Sequence, residues 1–218
     1  MSLESVKERI ARASERGGRR PDSIRLVVVS KGQTPDAIRK LYDQGHRDFG
    51  ENRAQELAAK VDQLPADIVW HFVGPLQTNK VRMVRPAVRL LHSLDREDLI
   101  PAWVKGPGAP PPALVQVRIG GEAQKHGVDP EGALTLGERA RAAGIDVVGL
   151  MTIPPVPERP EAARLFFDQL VSVSREVRET IPTAREISMG MTDDFEVAIE
   201  AGATIVRIGR AIFAELPN

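Results

Sequence analysis

The sequence predicts a single (β/α)8 barrel covering residues 1–218, preceded by one extra helix. Three observations carry that prediction. Eight short apolar runs recur along the chain, at Leu26–Ser30, Asp48–Glu51, Val69–Val73, Arg89–Leu94, Ala113–Ile119, Asp146–Thr152, Arg185–Met189 and Thr204–Ile208. Several are apolar almost throughout, the pattern of parallel strands covered on both faces. Three times a helix-ending glycine feeds a strand: Gln44-Gly45 before Asp48-Phe49-Gly50, Ala143-Gly144 before Val147-Val148-Gly149, and Ala201-Gly202 before Val206-Arg207-Ile208-Gly209. This is the rhythm of repeated βα units. An open doubly wound sheet is the alternative, but no glycine-rich dinucleotide loop follows Val29.

The elements follow in order. Leu3, Val6, Ile10 and Ala13 mark one apolar face of a helix before the first strand. Glu4, Glu8 and Glu15 in the same stretch argue against an arginine-rich transit peptide. Thr34 with Pro35 starts the helix that Gly45 stops, an N-cap followed by a proline at the first helical position. Asp129 with Pro130 repeats the device, and Asp193 or Asp194 is placed to cap a helix ended by Gly202. Gly106–Pro112 and Ile153–Pro160 each carry four prolines; the first reads as a rigid connector before the fifth strand, the second as a long loop after the sixth. Gly120–Gly127 reads as a mobile loop over the mouth after the fifth strand.

Composition narrows the function. The 218 residues carry 30 basic and 30 acidic side chains, a formal net charge of zero. Nucleic-acid and membrane surfaces need a basic excess or patch, so neither is expected. Aromatic residues make up 4% of the chain, too few for a base-stacking surface. The absence of cysteine excludes disulfides, thiolate zinc sites and cysteine nucleophiles, and suits a reducing cytoplasm. None of His46, His71, His92 and His126 has metal-ligand spacing. His71, between Trp70 and Phe72, reads as a packed or hydrogen-bonding residue. No nucleophile elbow and no P-loop is present.

In a barrel the chemistry sits at the C-terminal strand ends. The first strand offers Lys31, one of only seven lysines among the 30 basic residues. A lysine at the mouth of a buried strand is expected to be desolvated, which favours the neutral nucleophilic amine. The blander alternative is a lysine that snorkels into water. Glu51 and Asn52 end the second strand, His92, Ser93 and Asp95 the fourth. Ser188, Gly190 and Met191 end the seventh, and Arg207, Gly209 and Arg210 the eighth. Loops after strands seven and eight commonly hold phosphate on backbone N–H groups, and Gly190 and Gly209 would allow an anion to approach closely. Strand alternation puts Val27, Val29 and Lys31 on one face, and Ile205, Arg207 and Gly209 on one face. Arg207 would then stand inside the mouth, needing a ligand atom or a carboxylate such as Glu51 or Glu186. A phosphate site, an inward lysine and a fixed cation beside a ring-sized pocket together suggest pyridoxal 5′-phosphate (PLP). The lysine would form the Schiff base, and the arginine would damp carbanion chemistry by disfavouring a protonated ring nitrogen.

The same motifs resemble one family, the pyridoxal phosphate homeostasis proteins. The matching stretches are Val29-Ser30-Lys31, Phe49-Gly50-Glu51-Asn52-Arg53-Ala54-Gln55-Glu56, Trp70 to Lys80, His92-Ser93-Leu94-Asp95, Lys125-His126-Gly127, Gly149-Leu150-Met151-Thr152, Ser188-Met189-Gly190-Met191 and Val206-Arg207-Ile208-Gly209. They occur in order over nearly the whole chain. The resemblance implies a barrel like the N-terminal barrel of alanine racemase. It implies that Lys31 carries the Schiff base, Arg207 faces the pyridine nitrogen, Ser188 and the Gly209–Arg210 backbone hold the phosphate, and Asn52 lies beside the cofactor. It also implies a carrier or regulator of vitamin B6 and amino-acid balance, without catalytic turnover of its own. Such a protein would be a cytoplasmic monomer, with apo forms of PLP enzymes as possible recipients. Two alternatives are an amino-acid racemase, which needs a second base opposite the lysine, and a Schiff-base aldolase acting on a phosphorylated sugar. Three departures stand out. Pro75 replaces the family's usual histidine, Thr192 its usual serine, and the stretch Ala211–Asn218 lacks the usual Phe-Gly.

Overall fold

In the computed structural model, which describes residues 1–121, 126–155 and 158–216, eight parallel strands close into a barrel in sequence order. The strands are β1 (Arg25–Val29), β2 (Asp48–Glu51), β3 (Val69–Phe72), β4 (Val88–Leu94), β5 (Ala113–Gln116), β6 (Val147–Met151), β7 (Glu186–Ser188) and β8 (Ile205–Ile208). The ring is sealed where β8 pairs with β1, Arg25 opposite Ile205 and Val28 opposite Ile208. The helices are α1 (Leu3–Arg16), α2 (Pro35–Asp43), α3 (Ala54–Val61), α4 (Val81–Val84), α5 (Leu99–Val104), α6 (Ala133–Ala142), α7 (Arg164–Thr180), α8 (Phe195–Ala201) and α9 (Arg210–Phe213). The barrel expected from the sequence is therefore present, and the doubly wound alternative is not.

Alternation along the strands sorts the core into two layers. Val27, Leu90, Leu114, Met151 and Ile205 fill the barrel interior. Leu26, Val28, Phe49, Trp70, Phe72 and Leu91 point the other way, into the layer shared with the helices. The extra helix α1 buries the expected Leu3, Val6, Ile10 and Ala13. It lies along α8, tied by Arg9 to Glu196 at 2.6 Å and by Arg16 to Glu200 at 2.7 Å.

The start and stop signals act as chemistry requires. The Thr34 hydroxyl accepts the Ala37 N–H at 3.2 Å. Gly45, Gly144 and Gly202 take φ values of +86°, +92° and +126°, so each helix-ending glycine occupies backbone space that other residues avoid. Two expected caps differ. The Asp129 carboxylate accepts from Arg118 at 2.6 Å instead of capping, and a 3-10 turn, Pro130–Gly132, precedes α6. Asp194 turns back to accept the Met191 N–H at 2.6 Å. For Asp129 the charged guanidinium outcompetes a neutral helix amide, whereas Asp194 exchanges one backbone amide for another. The fifth strand also ends earlier than its apolar run, at Gln116. Beyond it Val117 bridges to Val128, with Arg118 N–H donating to the Val128 carbonyl at 2.8 Å. The loop expected over the mouth begins here, and its central residues lie outside the described ones.

The first proline-rich connector is clamped from below. The buried Arg85 guanidinium donates to the carbonyls of Trp103, Pro107 and Gly108 at 2.7 to 2.9 Å. Gly149 sets another close approach, because a Cβ there would stand 1.9 Å from the Glu186 carbonyl oxygen of the adjoining strand. Gly149→Ala is expected to prise β6 from β7 and cost about 1–3 kcal/mol by overpacking. Urea unfolding measures this, and an unchanged midpoint would contradict the close approach.

Candidate functional site

Lys31 is the second residue beyond β1 and is exposed. The desolvated lysine expected from the apolar run is therefore corrected. The strand enters the rim at Ser30, and the side chain of Lys31 stands at the mouth without a hydrogen bond or ion pair among the described residues. The strand ends at Val29 and the last buried residue is Ser30, so Lys31 already belongs to the turn that Gly32 continues at φ +71°.

The backbone around Lys31 is nonetheless held on both sides. The ammonium of Lys60, on α3, donates to the Ser30 carbonyl at 2.8 Å and to Glu51 Oε1 at 2.6 Å. The Ser30 hydroxyl donates to the same Glu51 oxygen at 2.7 Å. On the other side, the Gly32 N–H donates to Glu56 Oε2 at 2.8 Å, and this bond is the main cause that holds the Glu56 carboxyl below its ordinary pKa. Among the described residues, Lys31 thus has a fixed root and a free tip. Glu51, offered above as a partner of Arg207, faces outward to α3 instead. Burial raises its pKa against the opposing pull of Lys60 and Ser30.

Asn52 sits two residues beyond Gly50, as Lys31 sits two beyond Val29, and Val29 and Gly50 are paired. The two strand ends therefore present Lys31 and Asn52 at the same level. The Asn52 Oδ1 atom is buried and accepts no hydrogen bond among the described residues. Beside it opens a cavity of about 420 Å³, lined by Asn52, Phe72, Leu76, Gln77, Lys80 and His126 among others. The Asp95 carboxylate braces its rim, accepting from Arg96 Nη1 at 2.6 Å and lying 3.1 Å from His126 Nδ1.

Arg207 points inward, as strand alternation requires, and is 4% exposed. Its Nη1 donates to the Ser188 hydroxyl at 2.6 Å, and its Nη2 to the Thr152 carbonyl at 2.8 Å. Burial lowers its pKa to about 10, with the Asp194 charge pulling upward. It remains a cation at neutral pH. Neither Glu186 nor Glu51 pairs with it, so the purely structural ion pair considered above is absent among the described residues. The Ser188 hydroxyl also lies 3.0 Å from His92 Nδ1, so it is engaged inside the barrel.

The two glycine turns serve close packing. A Cβ at Gly190, where φ is +90°, would meet Ala198 Cβ at 2.5 Å, so Gly190 lets α8 lie against β7. A Cβ at Gly209 would meet the Val29 carbonyl at 2.5 Å. This turn and the exposed Arg210 stand beside the strand that leads to Lys31. Of the β7-loop amides, that of Met191 is already taken by Asp194. The first N–H groups of a helix have no partner within it, which leaves those at Arg210 and Ala211 facing out of α9.

Sequence reasoning did not find Lys60, Asp194 or the Thr152 carbonyl. Lys60 had one usable signal, its position four residues after Glu56 on a short helix. Asp194 was seen only as a cap. A backbone acceptor leaves no trace in side-chain chemistry.

A closed parallel barrel with this rim defines a class, that of the alanine racemase N-terminal domain, whose family model matches residues 1–217. A relative from Aquifex aeolicus, named pyridoxal phosphate homeostasis protein, is 44% identical, over 98% of this chain and 96% of its own. One of the same name from Deinococcus radiodurans is 39% identical, over 98% of this chain and 100% of its own. The solved structure of PipY from Synechococcus elongatus with PLP bound has a TM-score of 0.78 and 31% identity, over 94% of this chain and 99% of that one. The chain belongs to the pyridoxal phosphate homeostasis protein family. A lysine/ornithine decarboxylase from Vibrio vulnificus, 17% identical with a TM-score of 0.69, shares the fold alone.

Proposed function

We propose that this protein binds PLP at the mouth of its barrel and takes part in cytoplasmic PLP and amino-acid homeostasis without turnover of its own. The single observation that carries the reading is Lys31, a free amine on a backbone fixed at both neighbours, beside the Gly209 turn and above the buried Arg207 cation. The residues present fit the group. An aldehyde needs an unpaired amine, a pyridine nitrogen can accept from a guanidinium, and the orphaned Asn52 Oδ1 can accept from a ring hydroxyl. When bound, PLP supplies an electrophilic aldehyde on an electron-withdrawing ring.

In this reading Lys31 holds the aldehyde as a Schiff base, one water leaving. Gly209 and Arg210 hold the phosphate through their turn, and Gly190 keeps β7 and α8 close enough to complete that side. Arg207 faces the ring nitrogen. Ser188 serves by bracing Arg207, because its hydroxyl is already shared between Arg207 and His92. The protein would act as a monomer and pass PLP to apo-enzymes.

The racemase alternative lacks a tyrosine at the mouth: alanine racemase chemistry uses one opposite the lysine, and the only tyrosine here, Tyr42, lies on α2 and donates to Asp67 Oδ1 at 2.6 Å. Titration of the purified protein with PLP, followed by absorbance, is expected to give saturable one-to-one binding. The loaded protein is expected to leave D- and L-alanine unchanged. A colourless protein would sink the binding, and sustained alanine racemisation would sink the non-catalytic role.

A further inference from the structure

Behind Arg207 the hydrogen bonds continue through the barrel to its opposite end. His92 Nε2 lies 3.0 Å from His71 Nδ1, and His71 Nε2 lies 3.0 Å from Asp48 Oδ1. His92 and His71 are buried, at 0% and 1% exposure. Asp48 opens β2 at the N-terminal rim, with a side chain 28% exposed. It lines a second cavity, about 410 Å³ in volume, with Lys7, Arg25 and His46. The row Arg207, Ser188, His92, His71, Asp48 therefore has one end at the mouth and one wet end at the base. We propose that Ser188, His92, His71 and Asp48 are positioning residues, a polarised relay that aims the Arg207 guanidinium at the cofactor's ring from the far end of the barrel. This deepens the proposed function and rests on its placement of Arg207.

The polarity of the relay is fixed at its carboxylate end and fits the donor-only guanidinium at the other. A guanidinium only donates, so the Ser188 oxygen accepts from Arg207. The serine proton then goes to His92 Nδ1, which must be bare. His92 carries its proton on Nε2 and donates to His71 Nδ1. His71 carries its own on Nε2 and donates to Asp48. From the other end, a carboxylate only accepts, which requires the same two tautomers. Burial lowers the pKa of both histidines, and both are neutral in this arrangement. The charges facing the base end are Arg25, 3.7 Å from Asp48, with Lys7 and Asp22 in the same cavity and His46 and Glu186 nearby. Asp48 is drawn below its ordinary pKa because His71 and Arg25 outweigh its burial. An extra proton on His71 would force His92 to the other tautomer and give Ser188 two donors, so the hydroxyl proton would lose its acceptor. Five groups thus hold one arrangement, and the lone pair that fixes Arg207 is set by a carboxylate at the base.

Two measurements test the relay. Nitrogen-15 NMR of histidine in the PLP-free protein is expected to show His71 and His92 both neutral with the proton on Nε2; Nδ1–H on either would overturn the proposal. Binding of pyridoxine 5′-phosphate, which lacks the aldehyde and so reports ring and phosphate contacts without Lys31, is the second. His92→Leu is expected to weaken it about tenfold or more and to shift the pH profile of the bound chromophore's absorbance. Asp48→Leu, a change at the rim that spares the core, is expected to do the same, while Asp48→Asn keeps an acceptor and restores most of the affinity. Unchanged affinity and pH profile in Asp48→Leu would overturn the relay. A wild-type protein that binds neither PLP nor pyridoxine 5′-phosphate would overturn the proposed function instead, a failure distinguishable because the tautomers are read without cofactor.

Discussion

Replacing Lys31 by alanine is expected to remove the covalent absorbance of the PLP-loaded protein completely while leaving its fold intact. The side chain is exposed and makes no hydrogen bond or ion pair among the described residues that would be lost, so the stability change should stay within about 0.5 kcal/mol. The Ser30 carbonyl remains held by Lys60 and the Gly32 N–H by Glu56, so the rim keeps its shape. What disappears is the only amine rooted at that point. PLP should then dissociate on gel filtration, with residual reversible affinity from the Gly209 turn and Arg207. A Lys31→Ala protein that retained the wild-type spectrum would place the attachment elsewhere.

The second large effect is expected at a residue that touches no cofactor. Lys60→Met removes the partner of a carboxylate that is 0% exposed. Breaking a buried ion pair from one side costs about 3–5 kcal/mol, because the remaining charge is left without compensation. Glu51 already has a pKa raised by burial, with Lys60 opposing the rise, and losing Lys60 raises it further. A carboxyl whose folded pKa exceeds its unfolded value binds more protons in the folded state, so stability falls as pH rises between those two values. The deficit of Lys60→Met should therefore be largest near pH 8 and shrink as pH falls toward the unfolded glutamate value of about 4.3. Glu51→Gln in the same background is expected to recover part of the loss at pH 8. Urea unfolding at two pH values measures both, and a pH-independent deficit would contradict the burial of the charge. The same substitution frees the Ser30 carbonyl, so PLP binding should weaken alongside stability.

Much of the fold was legible because it is written in two periodicities. The apolar runs marked all eight strands, and the glycines after α2, α6 and α8 marked where the chain turns back. Strand alternation was enough to send Val27, Ile205 and Arg207 inward. The ends of elements were less legible, because tertiary partners decide them. Gln116 ends β5 because Val117 finds Val128, and Asp129 leaves its cap because Arg118 is within reach. At the site, the sequence proposed candidate side chains but not their company. Nothing local says that Glu51 turns to Lys60 rather than Arg207, or that His71 and His92, 21 residues apart, meet inside the barrel. Lys31 shows the limit most clearly. An apolar run predicts burial up to its last residue, while the strand ends at Val29 and burial at Ser30, which leaves the lysine outside the rim.

The central claim is a covalent bond at one nitrogen atom. Borohydride reduction of the PLP-loaded protein, followed by proteolysis and peptide mass mapping, tests it most directly. A single phosphopyridoxyl group on Lys31 is the predicted result. A modification confined to Lys80, Lys60 or any other lysine, or no fixed group at all, would contradict it.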